Sequence, residues 1–388
     1  MKTIETLDLK NKKVIIRCDF NVPIKEGKIL DDTRIVSALK TIKYCLRKNA
    51  KVILMSHLGR IKTKEDLSKN DLKVVADYLS ELLKKEVLFS SKTRGKELEE
   101  MIDKMNSKDI LLIQNTRYED LDGNKESSND KELGKYWASL GDVFINDAFG
   151  MIHRAHASNV GIAENIQERG IGFLIMEELD KLSELDNPAH PFIVIMGGAK
   201  VSDKAKMMEN LLKKCDYILV GGELANTFLV GEGYDLGSSL VEEESIKYCQ
   251  KVLKKYADKI ILPIDFKVNN EISNRDYVIK DITEFNYDDI AMDIGDRSVK
   301  IFKKHLQKAK LVLWNGPLGA YEYSNYRRAT LDVLNFLVDK NIKTIIGGGD
   351  IVAASTDFKD KIYHISTGGG ATLKYLEGKK LPSLKIME

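Results

Sequence analysis

The sequence predicts an α/β protein with parallel sheets, divided into two domains. Three observations carry this. Short apolar runs recur along the chain, each ending in a polar or glycine-containing turn, with amphipathic helical patterns between many of them. The chain has 388 residues, more than one ordinary hydrophobic core accommodates, so domains of roughly 150–200 residues are expected. Near the middle, the polar-faced helical stretch from Phe173 to Leu185 meets a breaker, DNPAHP, the composition of a connector.

Composition narrows the class. Apolar residues make up 43% and charged residues 31%, and 61 basic against 59 acidic side chains leave a net charge of +2, which implies no nucleic-acid partner. Cys18, Cys45, Cys215 and Cys249 lie far apart with no C-x-x-C, so neither a zinc knuckle nor a redox pair is indicated and a reducing compartment fits best. The N-terminal MKTIETLDLKNKK has no continuous apolar core, and no run approaches the roughly eighteen apolar residues of a membrane span. A cytoplasmic protein without membrane contact is expected.

In order, the first run, Val14 to Phe20, leads through NVP to a helix over Thr33 to Lys48. Ile35, Leu39, Ile42 and Leu46 give that helix one buried face, with Asp32 or Thr33 as N-cap. Lys51 to Met55 ends at SHLGR and precedes a helix carrying Leu72, Val75, Leu79, Leu82 and Leu83. Ile110 to Ile113 leads to QNTRYE, and Val143 to Ile145 to NDAFGMIHRAHAS. The polar DLDGNKESSNDKE between them carries no assigned chemistry. Four strand ends of this half thus bear Asp19 and Asn21, His57 and Arg60, Arg117, and Arg154 flanked by His153 and His156. In an open parallel sheet ligands bind at the carboxyl ends of strands. One such residue is usually structural; four in succession point to a surface for a multiply charged anion, which arginine matches with paired donors.

The second half opens on Phe192 to Lys204, FIVIMGGAKVSDK: a buried strand, a glycine turn and a helix start. With Ser202 as N-cap, the helix's free N–H groups would lie beside Lys200 and Lys204 and form a phosphate-type anion site. The alternative is an ordinary turn with solvated lysines. Recurrence favours the first reading. A helix over Ala205 to Lys214 follows, and Tyr217 to Val220, Ile260 to Phe266, Leu311 to Trp314, Thr344 to Ile346 and Tyr363 to Ile365 end in GGELANTF, KVNN, NGPLGAYE, GGGDIVAAS and STGGGATLK. Such turns suit the close backbone approach that nucleotide phosphates require. No G-x-x-x-x-G-K-[ST] loop, dinucleotide fingerprint or protein-kinase signature is present. An anion-binding half and a nucleotide-binding half with a lysine-bearing turn suggest a small-molecule phosphotransferase.

These segments carry a resemblance. RCDFNVP (Arg17 to Pro23), SHLGR (Ser56 to Arg60), NDAFG-x-x-HRAHAS (Asn146 to Ser158), GGAKVSDK (Gly197 to Lys204), WNGPLGAYE (Trp314 to Glu322), GGGD (Gly347 to Asp350) and STGGGATL (Ser366 to Leu373) stand in the order of the phosphoglycerate kinase family, which the chain resembles along nearly its whole length. The resemblance implies two Rossmann-like three-layer α/β/α domains joined by a hinge helix. The implied division is 1–172 for phosphoglycerate, 173–191 for the hinge, 192–375 for the nucleotide, and 376–388 returning to the first domain. It implies transfer of the acyl phosphate of 1,3-bisphosphoglycerate to ADP, giving 3-phosphoglycerate and ATP, with Mg²⁺ and as a monomer. By position, Asp19, Asn21, Arg34, His57, Leu58, Gly59, Arg60, Arg117 and Arg154 match the phosphoglycerate-binding residues. Lys200, Lys204, Asn315, Glu322, Gly348, Gly349, Asp350, Ile351 and Thr367 match those around the nucleotide, with Asp350 binding the metal. Arg34, Lys200 and Gly369, in the glycine loop, are implied at the transferred group.

The sequence departs from the family pattern at Ile61 and Gln114, beside binding residues, and at Glu223 and Ile351, where nucleotide preference or affinity is at stake. Two other readings stay open from the residues alone. One is a two-lobed solute-binding protein, disfavoured by the second, glycine-lined half and the lack of an export segment. The other is a different carboxylate or sugar kinase, disfavoured by SHLGR and HRAHAS.

Overall fold

Runs of apolar residues become strands covered on both faces. In the computed structural model, which describes residues 1–388, Val14, Ile15, Ile16, Val52, Ile53, Leu54 and Met55 are all fully buried. The chain divides into two compact units, Met1–Asp180 with Lys380–Glu388, and Lys181–Lys379. The division falls within the helix Phe173–Ser183.

The first unit holds β1 (Lys13–Arg17), a small hairpin of β2 (Ile24–Lys25) and β3 (Lys28–Ile29), then β4 (Lys51–Met55), β5 (Leu88–Ser90), β6 (Ile110–Ile113), β7 (Val143–Asn146) and β8 (Glu168–Ile171). Six of these form one parallel sheet in the order β5-β6-β4-β1-β7-β8. Parallel pairing requires a crossover between neighbours, and the intervening helices supply it while covering the sheet. The helix Thr33–Arg47 buries Ile35, Ala38, Thr41, Ile42 and Cys45. Asp32 occupies its N-cap position without capping it, because its carboxylate accepts from Tyr78 Oη at 2.6 Å. Asp31 takes the Thr33 N–H instead, at 2.9 Å. The last residues return to this unit: Arg169 Nε donates to Ile386 O at 3.0 Å and Ser383 N to Ile152 O at 3.2 Å.

The second unit holds β9 (Phe192–Met196), β10 (Tyr217–Val220), β11 (Ile260–Ile261), β12 (Asp265–Asn269), β13 (Val278–Asp281), β14 (Ile290–Ile294), β15 (Leu311–Asn315), β16 (Thr344–Ile346) and β17 (His364–Ile365). Its parallel sheet runs β11-β10-β9-β15-β16-β17, and β13-β12-β14 form a separate antiparallel sheet. The expected single strand Ile260 to Phe266 is therefore two strands in two sheets. Pro263, between them, has no N–H to donate and interrupts a ladder. KVNN consequently lies largely inside β12 rather than in a turn. The helix expected over Ala205 to Lys214 runs Val201–Leu211. No helix is long and apolar enough to cross a membrane.

Candidate functional site

The four strands whose ends bear the expected anion-binding set are neighbours, β6-β4-β1-β7, all parallel, so their carboxyl ends share one edge of the first sheet. With strands about 4.8 Å apart, that edge is about 15 Å wide. Asp19 follows β1, and its Oδ1 accepts the Asn21 N–H at 3.2 Å and Arg34 Nη1 at 3.3 Å. Arg34 Nη1 also donates to Asn21 O at 2.9 Å, which draws the helix Thr33–Arg47 to the β1 turn. Asn21 Oδ1 takes the Gly59 N–H at 2.8 Å, tying that turn to SHLGR. Leu58 enters through its backbone: its N–H donates to Asn115 Oδ1 at 3.1 Å and its carbonyl accepts Asn115 Nδ2 at 2.7 Å. Gly59 has φ +59°, and a Cβ there would fall 2.1 Å from Asn70 Oδ1.

Arg60, Arg117 and Arg154 line one cleft of about 440 Å³ with Ile61, Lys62 and His156. Arg60 and Arg154 are exposed. Arg117 is buried, and its Nε has no partner within the protein. A buried cation with an unpaired donor on a cleft wall is suited to an anionic ligand. His57 is buried, and burial, then Arg17, Arg117, His156 and Arg34, hold its pKa well below the usual histidine value.

Sequence reasoning missed what stands behind this edge. Arg17 at the end of β1 is fully buried; its Nε donates to Ser158 Oγ at 2.7 Å and its Nη2 lies 3.3 Å from His57 Nδ1. Glu126, from the stretch that carried no assigned chemistry, is fully buried, 3.9 Å from Arg17 Nη2 and 3.6 Å from His156 Nδ1. It accepts the Ser158 N–H at 2.9 Å and the Ser158 hydroxyl. Burial works to raise its carboxyl, and His156, Arg17 and Ser158 outweigh burial and hold it below the ordinary range. No local pattern distinguishes Glu126 from the half-buried and exposed polar residues around it.

In the second unit the glycine turns follow β10, β9, β15, β16 and β17, five adjacent parallel strands. The turns after β9, β10, β15 and β16 border a cavity of about 370 Å³ lined by Gly198, Glu223, Met292, Leu318, Glu322 and Asp350, among others. The approach is close: a Cβ on Gly197 would lie 1.9 Å from Pro317 O, and Gly316 adopts φ +93°. Asn315 is buried, and its Nδ2 donates to Gly347 O at 2.6 Å, so it fastens the GGGD turn. Gly348 has φ +114°, and Gly349, Asp350 and Ile351 begin the short helix Gly349–Ala354, with Ile351 buried and Asp350 exposed. Thr367 is half-buried, and Gly369 has φ +49° with open space where a Cβ would stand.

The central lysines differ from expectation in one respect. Lys200, not Ser202, holds the N-cap position of the helix Val201–Leu211. Glu242 accepts both the Ser202 N–H, at 3.0 Å, and the Ser202 hydroxyl. A protein carboxylate thus already occupies the positive end of that helix, which is where an anion is favoured. What remains is the lysines themselves. Lys200 is exposed, whereas Lys204 donates to the carbonyls of Gly197 and, at 3.1 Å, Asn315. Burial lowers the Lys204 pKa to about 8, with Asp350 and Asp203 opposing. Glu223 is half-buried on the cavity wall, its carboxyl pushed up by burial and then by Glu322.

One sheet edge that gathers Arg60, Arg117 and Arg154, and another lined by glycine turns with Lys200 and Lys204 beside them, have the layout expected of a two-unit α/β phosphotransferase. Comparisons specify which one. A family profile described as phosphoglycerate kinase matches residues 4–379. The phosphoglycerate kinase of Lacticaseibacillus casei is 55% identical, covering 98% of this chain and 97% of its own; that of Listeria innocua is 52% identical, covering 99% and 98%. Among solved structures, phosphoglycerate kinase from Coxiella burnetii superposes with a TM-score of 0.89 at 36% identity, and that from Pyrococcus horikoshii with 0.86 at 30%; each covers 100% of this chain and 98% of its own. The chain belongs to the phosphoglycerate kinase family. Its reaction is the family's glycolytic one, reversible phosphoryl transfer between 1,3-bisphosphoglycerate and ADP with a carboxyl group as acceptor.

Proposed function

We propose that the phosphoryl group passes directly and in line between the two substrates, without a covalent enzyme intermediate. The acceptor in the ATP-consuming direction is a carboxylate, already ionised near neutral pH, so no general base is needed. Catalysis then consists of alignment and neutralisation of charge on the equatorial oxygens of the group in transit. The observation that carries this reading is the convergence of Arg60, Arg117 and Arg154 on one cleft at the carboxyl edge of the first sheet, where the buried Arg117 keeps an Nε without a protein partner.

Phosphoglycerate is held by Asp19, Asn21, Arg34, His57, Arg60, Arg117 and Arg154, with the backbone of Leu58 and Gly59. Lys204 holds nucleotide phosphates, Glu322 accepts from ribose hydroxyls, and the turns at Asn315, Gly348, Gly349, Ile351 and Thr367 frame the nucleotide. Arg34, Lys200 and the loop at Gly369 neutralise the transferred group. No cluster of three or more acidic, histidine or cysteine side chains exists to cage a metal. Mg²⁺ commonly takes only one or two carboxylates together with substrate phosphates, and exposed Asp350, near enough to Lys204 to oppose its loss of charge, fits that donor set. When bound with the nucleotide, the ion neutralises phosphate charge.

The protein acts as a cytoplasmic monomer, and the 1–172 and 192–375 segments close on their ligands about the 173–191 hinge, excluding water that would hydrolyse the acyl phosphate. The test is ATP formation from ADP and enzymatically generated 1,3-bisphosphoglycerate with Mg²⁺, wild type beside Arg34→Ala. Rapid turnover lost in the variant is expected. A folded wild type that binds ADP and makes no ATP would reject the acceptor assignment. Small-angle scattering with both ligands should show compaction; an unchanged radius of gyration counts against closure.

A further inference from the structure

We infer that Arg17, anchored by Ser158 and Glu126, is a positioning residue that locks His57 in its neutral Nε2–H tautomer, so that the ring offers bound phosphoglycerate a fixed hydrogen-bond donor. The inference rests on the assignment of His57 to the phosphoglycerate side. A guanidinium has donors and no acceptor. Arg17 Nη2 lies 3.3 Å from His57 Nδ1, so Nδ1 must be the accepting nitrogen and the ring proton must sit on Nε2. No protein group accepts from that Nε2.

The guanidinium cannot turn away to tolerate the other tautomer. Its Nε is held by Ser158 Oγ at 2.7 Å, its Nη1 by the Cys18 carbonyl, and its side chain has no exposed surface. Ser158 is itself fixed by Glu126, which also supplies the buried countercharge at 3.9 Å. The charged or titratable groups facing His57 are Arg17 from β1, Arg34 from the helix Thr33–Arg47, Arg117 from the segment after β6, and His156. All oppose a second proton on the ring. A neutral donor keeps its hydrogen bond to an anion without adding a titration near neutral pH, whereas an imidazolium would release substrate as pH rose.

The experiment is nitrogen-15 NMR of histidine-labelled full-length protein, with His57 assigned among the six histidines by His57→Gln. In the wild type we expect one Nε2–H tautomer and no His57 titration from about pH 5 to about pH 8. Arg17→Met should mix the tautomers and bring a titration into that window. It should raise KM for 3-phosphoglycerate by about tenfold or more while KM for ATP changes less than about twofold. Arg17→Lys, which keeps the charge and loses the fork, should not rescue. An Nδ1–H tautomer or an imidazolium in the wild type overturns the proposal, and that spectrum is decisive even where Arg17→Met does not fold. An unchanged single tautomer in folded Arg17→Met, or full rescue by lysine, also overturns it. The tautomer is read without turnover, so failure of ATP formation in the wild type would reject the functional reading separately.

Discussion

Asp147 Oδ1 accepts the N–H of Leu174 at 2.9 Å and of Ile175 at 3.3 Å, so a buried carboxyl at the end of β7 caps the helix Phe173–Ser183. Its second oxygen, Oδ2, is buried without a partner. Burial pushes the carboxyl from an ordinary value of 3.8 up to about 7, against hydrogen bonds from Thr41 and from those two backbone groups.

This makes the stability of the first unit depend on pH. The folded-state pKa lies above the unfolded one, so the folded state holds more protons between about pH 4 and about pH 7, and the contribution of Asp147 falls as pH rises through that window. Asp147→Asn keeps the accepting oxygen and removes the titration. The Tm of the variant minus that of the wild type should therefore increase from acid to neutral pH, by on the order of 5 °C. A difference that stays flat in thermal melts would show that Asp147 does not titrate there.

Lys204 titrates in the free protein near pH 8, and nucleotide phosphates would raise that value. ADP binding should take up a proton above about pH 8, and affinity should fall by up to about tenfold per pH unit there. Calorimetry in buffers of different ionisation enthalpy measures the uptake. Lys204→Ala should weaken ADP and abolish the pH slope; a slope that survives assigns the proton to another group.

Lys200 is exposed at its helix start and has no protein partner to hold. Lys200→Ala should lower kcat by about a hundredfold or more while ADP affinity changes less than about fivefold. Steady-state kinetics beside ADP titration separates the two. Equal losses would make this lysine a binding residue only.

Gly197 has no room for a side chain, since a Cβ would meet Pro317 O at 1.9 Å, whereas Gly369 has open space and a positive φ. Gly197→Ala should lower stability by about 1–3 kcal/mol and weaken ADP binding through the displaced Pro317 turn. Gly369→Ala should cost about 1 kcal/mol through backbone strain alone and act mainly on kcat. Melts and kinetics on both variants check this; a stable Gly197→Ala with wild-type ADP affinity would sink it.

Glu223 meets only burial and the charge of Glu322 on the cavity wall. Glu223→Gly should tighten ADP binding by about tenfold at neutral pH by removing that carboxylate. Weaker binding in a folded variant would show instead that Glu223 contacts the nucleotide.

The sequence by itself determined the α/β class and most of the strand ends with the residue types they carry; the end expected after Ile260 to Phe266 is the exception, since KVNN continues β12. Alternation of buried runs with amphipathic helices is local, and so are the glycines that turns require. Asp19, His57, Arg117 and Arg154 were legible because each follows an apolar run. Only the tertiary structure decided which ends are neighbours: β6, β4, β1 and β7 adjoin in an order unlike that of the chain, through crossovers that leave no mark in local composition. It also decided where charges find partners. Glu126 lies 109 positions from Arg17 in the chain and 3.9 Å from it in space, and Glu242 takes the helix start that Ser202 was expected to leave open. A polar residue in a polar stretch reads as solvated until packing removes the water, because burial and pairing depend on residues distant in the chain.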